Sequence, residues 1–186
     1  MPSDEPVQTI YPDMDNLFVG NNESLTGVSD AKRQTIATHW IGAAANLITG
    51  SDLTQLDTLG KQLLTDPDAL VIADLTAKYP MQPRNHATPV SGGNSSQQLA
   101  AWIAGPSLED GCAVVVLANY GPDEDQGGFG TSLQGEQKVE VTWDDLEISG
   151  SFEMRDVWAK KTVATGSLAA MLREGESVLY LMTPSV

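Results

Sequence analysis

One cysteine, two histidines and ten basic residues are all that 186 positions contain, and each shortage removes a class of chemistry. A lone Cys112 excludes an intrachain disulfide and the multi-cysteine zinc sites. It stands in Cys112-Ala-Val-Val-Val-Leu-Ala118, where a small apolar side chain in a buried strand is its expected role. His39 and His86 have no nucleophile elbow and no HExxH to work with, since Gly50-Ser51-Asp52 departs from GxSxG, so serine and zinc hydrolase mechanisms are rejected. An EF-hand loop counted from Asp123 finds its glycine at Gly128 but only Gln134 where a bidentate acid is required. No metal and no cofactor is expected.

Twenty-five acidic side chains against ten basic ones give a formal charge of -15, a surface that repels nucleic acid and anionic lipid. No apolar run approaches the ~18 residues that cross a bilayer, so no membrane partner is expected either. The start, Met1-Pro-Ser-Asp-Glu-Pro6, has neither the basic opening nor the apolar centre of an export signal. Two triplets, Asn22-Glu23-Ser24 and Asn94-Ser95-Ser96, match the N-glycosylation acceptor and carry meaning only for a parent protein that enters a secretory pathway.

What is present is a core-forming composition, 41% hydrophobic, divided into two patterns. From Ser29 to Ala45, Ile36, Trp40, Ile41, Ala44 and Ala45 recur at helical spacing, with Ser29 or Asp30 placed to cap, and Trp40 is assigned to packing. Leu47 to Leu53 suits a short buried parallel strand, and Thr54 to Ala73 a helix in two pieces broken at Asp66-Pro67. Lys78 to Gln98, rich in proline and glycine, has linker composition. Beyond it come strands: Leu99 to Ile103, Ala113 to Ala118, Val139 to Trp143, Phe152 to Trp158, Leu168 to Leu172 and Val178 to Met182, with a long acidic loop from Gly121 to Gly135. Six or more such strands imply an antiparallel sandwich.

The order of short motifs is informative. Tyr11-Pro12-Asp13-Met14-Asp15, then Val19-Gly20-Asn21, a helix with Trp40, Ser51-Asp52-Leu53 and a β-sandwich resemble the end of the melibiase-type α-galactosidases, glycoside hydrolase family 27. The sandwich adds Gly105-Pro106, Val114 to Asn119, Val141 to Leu146, Met154 to Trp158 and Ser177 to Leu181. One departure stands at Gln8 to Tyr11, where the family commonly carries Trp-Asn-Asp.

The resemblance implies an α/β plus all-β chain: residues 1–84 as the C-terminal remnant of a TIM (β/α)8 barrel, 85–98 as linker and 99–186 as antiparallel β-sandwich. It implies a secreted parent that releases terminal α-linked galactose with retention. Asp13 and Met14 would line its sugar pocket on a loop after a barrel strand. Asp52 has capping of the next helix as its sufficient explanation. Both catalytic carboxylates lie upstream of Pro-Asp-Met in the family, so this chain offers no catalytic residue and is expected to be inactive alone. Its partners would be the missing N-terminal barrel segment and an α-galactoside. The alternative is a non-catalytic sandwich that contacts carbohydrate or stabilises a catalytic domain. A third reading is a truncated gene model, whose two-strand barrel remnant would leave the first 75 residues aggregation-prone or mobile unless a partner completes them.

Overall fold

The computed structural model describes residues 12–84, 98–122, 133–163 and 168–185. Helical elements come first: α1 (Glu23–Thr26), α2 (Asp30–Gly42), a 3-10 turn (Leu53–Gln55), α3 (Thr58–Thr65) and α4 (Pro67–Lys78). Eight strands follow: β1 (Gln82–Pro83), β2 (Leu99–Ala104), β3 (Ala113–Asn119), β4 (Gln137–Val141), β5 (Phe152–Asp156), β6 (Lys161–Val163), β7 (Leu168–Leu172) and β8 (Glu176–Pro184). All strand pairs are antiparallel, in a six-stranded sheet ordered β1-β2-β3-β8-β5-β6 and a two-stranded sheet β4-β7.

Local chemistry explains the helix ends. The Ser29 side chain caps α2 by accepting from Lys32 N. Asp66 closes α3 and opens α4, accepting from Asp68 N and Ala69 N, with Pro67 in the first turn where its missing N–H costs nothing. Helix α2 ends at Gly42 rather than near Asn46, because Ala44 turns into the left-handed region at φ 58°.

The six-stranded sheet is covered on both faces. One face presents Ala101, Ile103, Val115, Leu117, Met154, Tyr180 and Met182 to Val139, Val141, Leu168 and Leu172 of the small sheet, which closes the sandwich. The other presents Val114, Val116 and Leu179 to Ala37, Ile41, Leu63 and Ile72 of the helices. Strand β3 therefore has all seven residues buried, which is why its sequence reads as an unbroken apolar run. In β4 and β5, covered on one face, burial alternates.

Two expectations are corrected. Leu47 to Leu53 does not form a buried strand: only Thr49 pairs, in an isolated parallel bridge to Leu17, and Ile48 and Leu53 are 60% and 63% exposed. A parallel strand needs neighbours on both edges and cover on both faces, and this one has a single neighbour. Residues 82–83, read as linker, form the edge strand β1, a place that tolerates Pro83 because its missing donor faces outward.

Side-chain bonds tie the helices to the sheet. Thr35 Oγ1 donates to Gly175 O at 2.8 Å, Gln34 Nε2 to Ser177 O at 3.2 Å, and Trp158 Nε1 to Thr38 Oγ1 at 2.9 Å. Lys160 Nζ adds ion pairs with Asp66 and Asp68 at 2.6 and 2.9 Å.

Candidate functional site

The residues that resemblance singled out gather around the parallel bridge. Leu17 N donates to Ile48 O at 2.8 Å and Gly50 N to Leu17 O at 3.1 Å, and the 13-residue α2 connects the two segments. Leu17 and Val19 point into the helical core, while Phe18 between them is 49% exposed. A Cβ on Gly50 would meet the Phe18 ring at 2.8 Å, so glycine lets that ring lie against the backbone.

At the C-terminal ends of this pair the chains interlock. Gly20 N donates to Ser51 Oγ at 2.8 Å. Buried Asn21 donates to Asp52 O and Gln55 O at 2.9 and 3.0 Å and accepts from Asp52 N at 2.8 Å. Nothing in the sequence pattern marks Asn21 for this role. The Asp52 carboxylate accepts from Thr54 Oγ1, Thr54 N and Gln55 Nε2, bonds that hold it below the usual carboxylate range. That is the capping role expected for it, with both carboxylate oxygens engaged.

Asp13 is exposed, and its Oδ1 accepts from Asp15 N at 3.0 Å, an Asx turn that carries Asp15 through φ 63°. Met14 is half-buried. Both precede Leu17, at the opposite end of the paired segment from Gly20 and Asn21. A groove of about 210 Å³ lies elsewhere, lined by Ile41, Ala44, Ala45, Asn46, Leu47, Ala73, Asp74 and Ala77, and neither Asp13 nor Met14 reaches it. Tyr11, His86, Asn94 and Asp123 lie outside the described residues.

Asn22 is exposed. Its Oδ1 accepts from Ser24 Oγ at 2.7 Å and caps the short turn α1 through Leu25 N.

The other titratable groups in unusual settings serve structure. Arg33 is fully buried, forked onto Asp57 at 2.6 and 2.8 Å, and donates to Val19 O at 3.0 Å. Asp57, held low chiefly by that guanidinium, also caps α3 through Gly60 N. Asp68 is held low mainly by Lys160, so the two nearby carboxylates Asp66 and Asp68 form an ion cluster. His39 meets Tyr120 between α2 and the sheet, a pairing that no spacing in the sequence announces. Cys112 is half-buried just ahead of β3, and burial pushes its thiol up, away from reactivity. Among the described residues no helix is long and apolar enough to cross a membrane.

The six-stranded and two-stranded sheets define an antiparallel β-sandwich with a helical layer packed on its outer face. Residues 96–182 match the family described as Alpha galactosidase C-terminal beta sandwich domain. Over 173 residues, 92% of the chain, it is 53% identical to Alpha-galactosidase 3 of Hypocrea jecorina, of which it spans 27%. A wild-type GH27 β-L-arabinopyranosidase from Geobacillus stearothermophilus shares the fold at a TM-score of 0.70 and 20% identity, over 95% of this chain and 38% of that one. The alpha-galactosidase I of Mortierella vinacea does so at 0.67 and 18%, over 93% and 40%. The chain belongs to the melibiase-type α-galactosidases as a C-terminal portion of one.

Proposed function

We propose that this chain is the closing segment of a secreted, retaining α-galactosidase that releases terminal α-linked galactose from oligosaccharides or polysaccharides. In this reading the chain before β1 ends a catalytic (β/α)8 barrel, and 99–186 form the sandwich together with the edge strand at 82–83, which moves into the sandwich two residues that the 1–84 boundary gave to the barrel. The observation that carries it is the parallel contact of Leu17 with Thr49 across α2. Consecutive parallel segments joined by a helix are the repeating unit of such a barrel. Phe18 and Ile48, exposed on the side away from the helices, are the apolar side chains that barrel closure would turn inward.

Retention needs two carboxyl groups about 5 Å apart, one attacking the anomeric carbon and one serving in turn as acid and base. Asp52 is engaged in a cap, and Asp66 and Asp68 are ion-paired with Lys160 and Arg155, so they are not offered as such a pair. The chemistry belongs to the part of the enzyme outside this chain. Asp13 as acceptor from sugar hydroxyls and Met14 as apolar wall are carried by the family resemblance alone, since both stand before the Leu17 segment and not at its C-terminal end.

Release of nitrophenol from its α-galactoside tests the reading. The purified chain should be inactive, and the gene extended upstream through the rest of the barrel should be active. Hydrolysis by this chain alone would mean that Asp13, Asp15 or Asp52 performs the chemistry denied to it here. Inactivity of both proteins, with binding to galactan, would favour the accessory sandwich instead.

A further inference from the structure

We infer that Asn22 carries an N-linked glycan in the mature protein. The acceptor triplet Asn22-Glu23-Ser24 lies on an exposed turn, and the structure separates the two ends of its amide. Oδ1 is engaged, accepting from Leu25 N at 3.3 Å and from Ser24 Oγ at 2.7 Å. Glycosylation leaves that oxygen untouched and substitutes only Nδ2, which takes no part in these bonds. The cap and the sugar are therefore compatible on one side chain.

The neighbours favour the same outcome. Leu25 follows in the turn with its side chain 54% exposed, an apolar surface that a glycan would cover. Asn21, the adjacent asparagine, is 3% exposed with its amide bonded to Asp52 and Gln55, so the turn is held in place from behind.

The donor is a lipid pyrophosphate-linked oligosaccharide of the secretory pathway. The Asn22 Nδ2 forms a bond to sugar C1, the C1–O bond to phosphate breaks, the lipid pyrophosphate leaves with that electron pair, and Nδ2 loses one proton. The inference rests on the export proposed above.

The test is expression of the full chain behind a secretion leader in a glycosylating eukaryotic host, with a native secreted glycoprotein of that host as positive control. Peptide mass analysis follows before and after amidase removal of N-glycans. The Asn22 peptide should carry hexosamine, and amidase should leave aspartate at position 22. Ser24→Ala should abolish the modification, Ser24→Thr should keep it, and Asn22→Asp should abolish it while retaining the cap oxygen and native folding. An unmodified Asn22 peptide beside a modified control, whether or not the Asn94 peptide is modified, overturns the inference. Because the readout is mass and not hydrolysis, that failure would leave the α-galactosidase reading standing.

Discussion

Nε2 of His39 lies 2.6 Å from Oη of Tyr120, and the neighbouring groups select one tautomer of the neutral imidazole. His39 Nδ1 faces the Thr35 carbonyl at 2.9 Å, which can only accept, so Nδ1 carries the proton and Nε2 accepts from the tyrosine hydroxyl. Trp102 Nε1 in turn donates to Tyr120 Oη at 2.8 Å. Burial pushes the tyrosine up to about 12 and holds His39 below its usual value, with the Thr35 bond opposing.

A pH dependence follows from the sign. The unfolded chain binds a proton at this histidine more readily than the folded one, so stability falls as pH drops through about 6.5, the ordinary histidine value. The loss continues until the lower folded value is passed. Asp57 and Asp68 act in a separate window: their folded values are lowered, so their contribution is present above the ordinary aspartate range and disappears only as pH falls below it. Urea midpoints measured from pH 8 to 4.5 should decline below 6.5 in the native chain, and His39→Gln should flatten that decline. An unchanged slope in the variant would locate the titration elsewhere.

Arg33 is the buried cation on which the helical layer depends. Arg33→Leu removes the fork onto Asp57 and the bond to Val19 O, and should cost about 2–3 kcal/mol, because Asp57 is partly exposed and keeps its bond from Gly60 N. Arg33→Lys keeps the charge but not the fork, and should fall between the two. Equilibrium urea unfolding of the three proteins measures this.

Gly60 packs directly on the backbone of the segment it covers. A Cβ there would overlap the Gly20 carbonyl oxygen, which also accepts from Asp57 N at 3.3 Å, so neither partner can yield without breaking the α3 contact. Gly60→Ala should destabilise by about 3 kcal/mol, the upper part of the overpacking range, even though alanine is the better helix former. A stability equal to or above the parent would show that α3 can shift outward.

Limited proteolysis decides whether the helices and the sheet behave as one unit. A sequence-only expectation of a loose N-terminal remnant puts the start of the protected core near Gln98. The bonds from Gln34 and Thr35 to Gly175 and Ser177, and from Trp158 to Thr38, predict instead that a nicked chain keeps α2 to α4 bound to the sandwich under native conditions. Separation of the two pieces on native size exclusion would count against it.

Much of this fold was legible because single-residue rules act locally. Ser29 as a cap, Asp66-Pro67 as a break, the unbroken apolar β3 and the alternation through Val139 and Val141 each declare an element without reference to the rest. Leu47 to Leu53 misled because an apolar run does not declare how many neighbours its strand will find, and here it finds only Leu17. Pro83 hid an edge strand inside linker composition. The pairing of His39 with Tyr120, 81 residues apart, and of Asn21 with Asp52, 31 apart, leaves no periodic trace. At the candidate site, Asp52 read correctly as a cap, whereas Asp13 and Met14 owe their interest to resemblance.

Strand β8 is the most C-terminal strand and lies between β3 and β5, in the middle of the large sheet. No ladder joins β3 to β5 without it, so β1, β2 and β3 on one side and β5 and β6 on the other share a sheet only through residues 176–184, and deleting them would split the large sheet into two pieces.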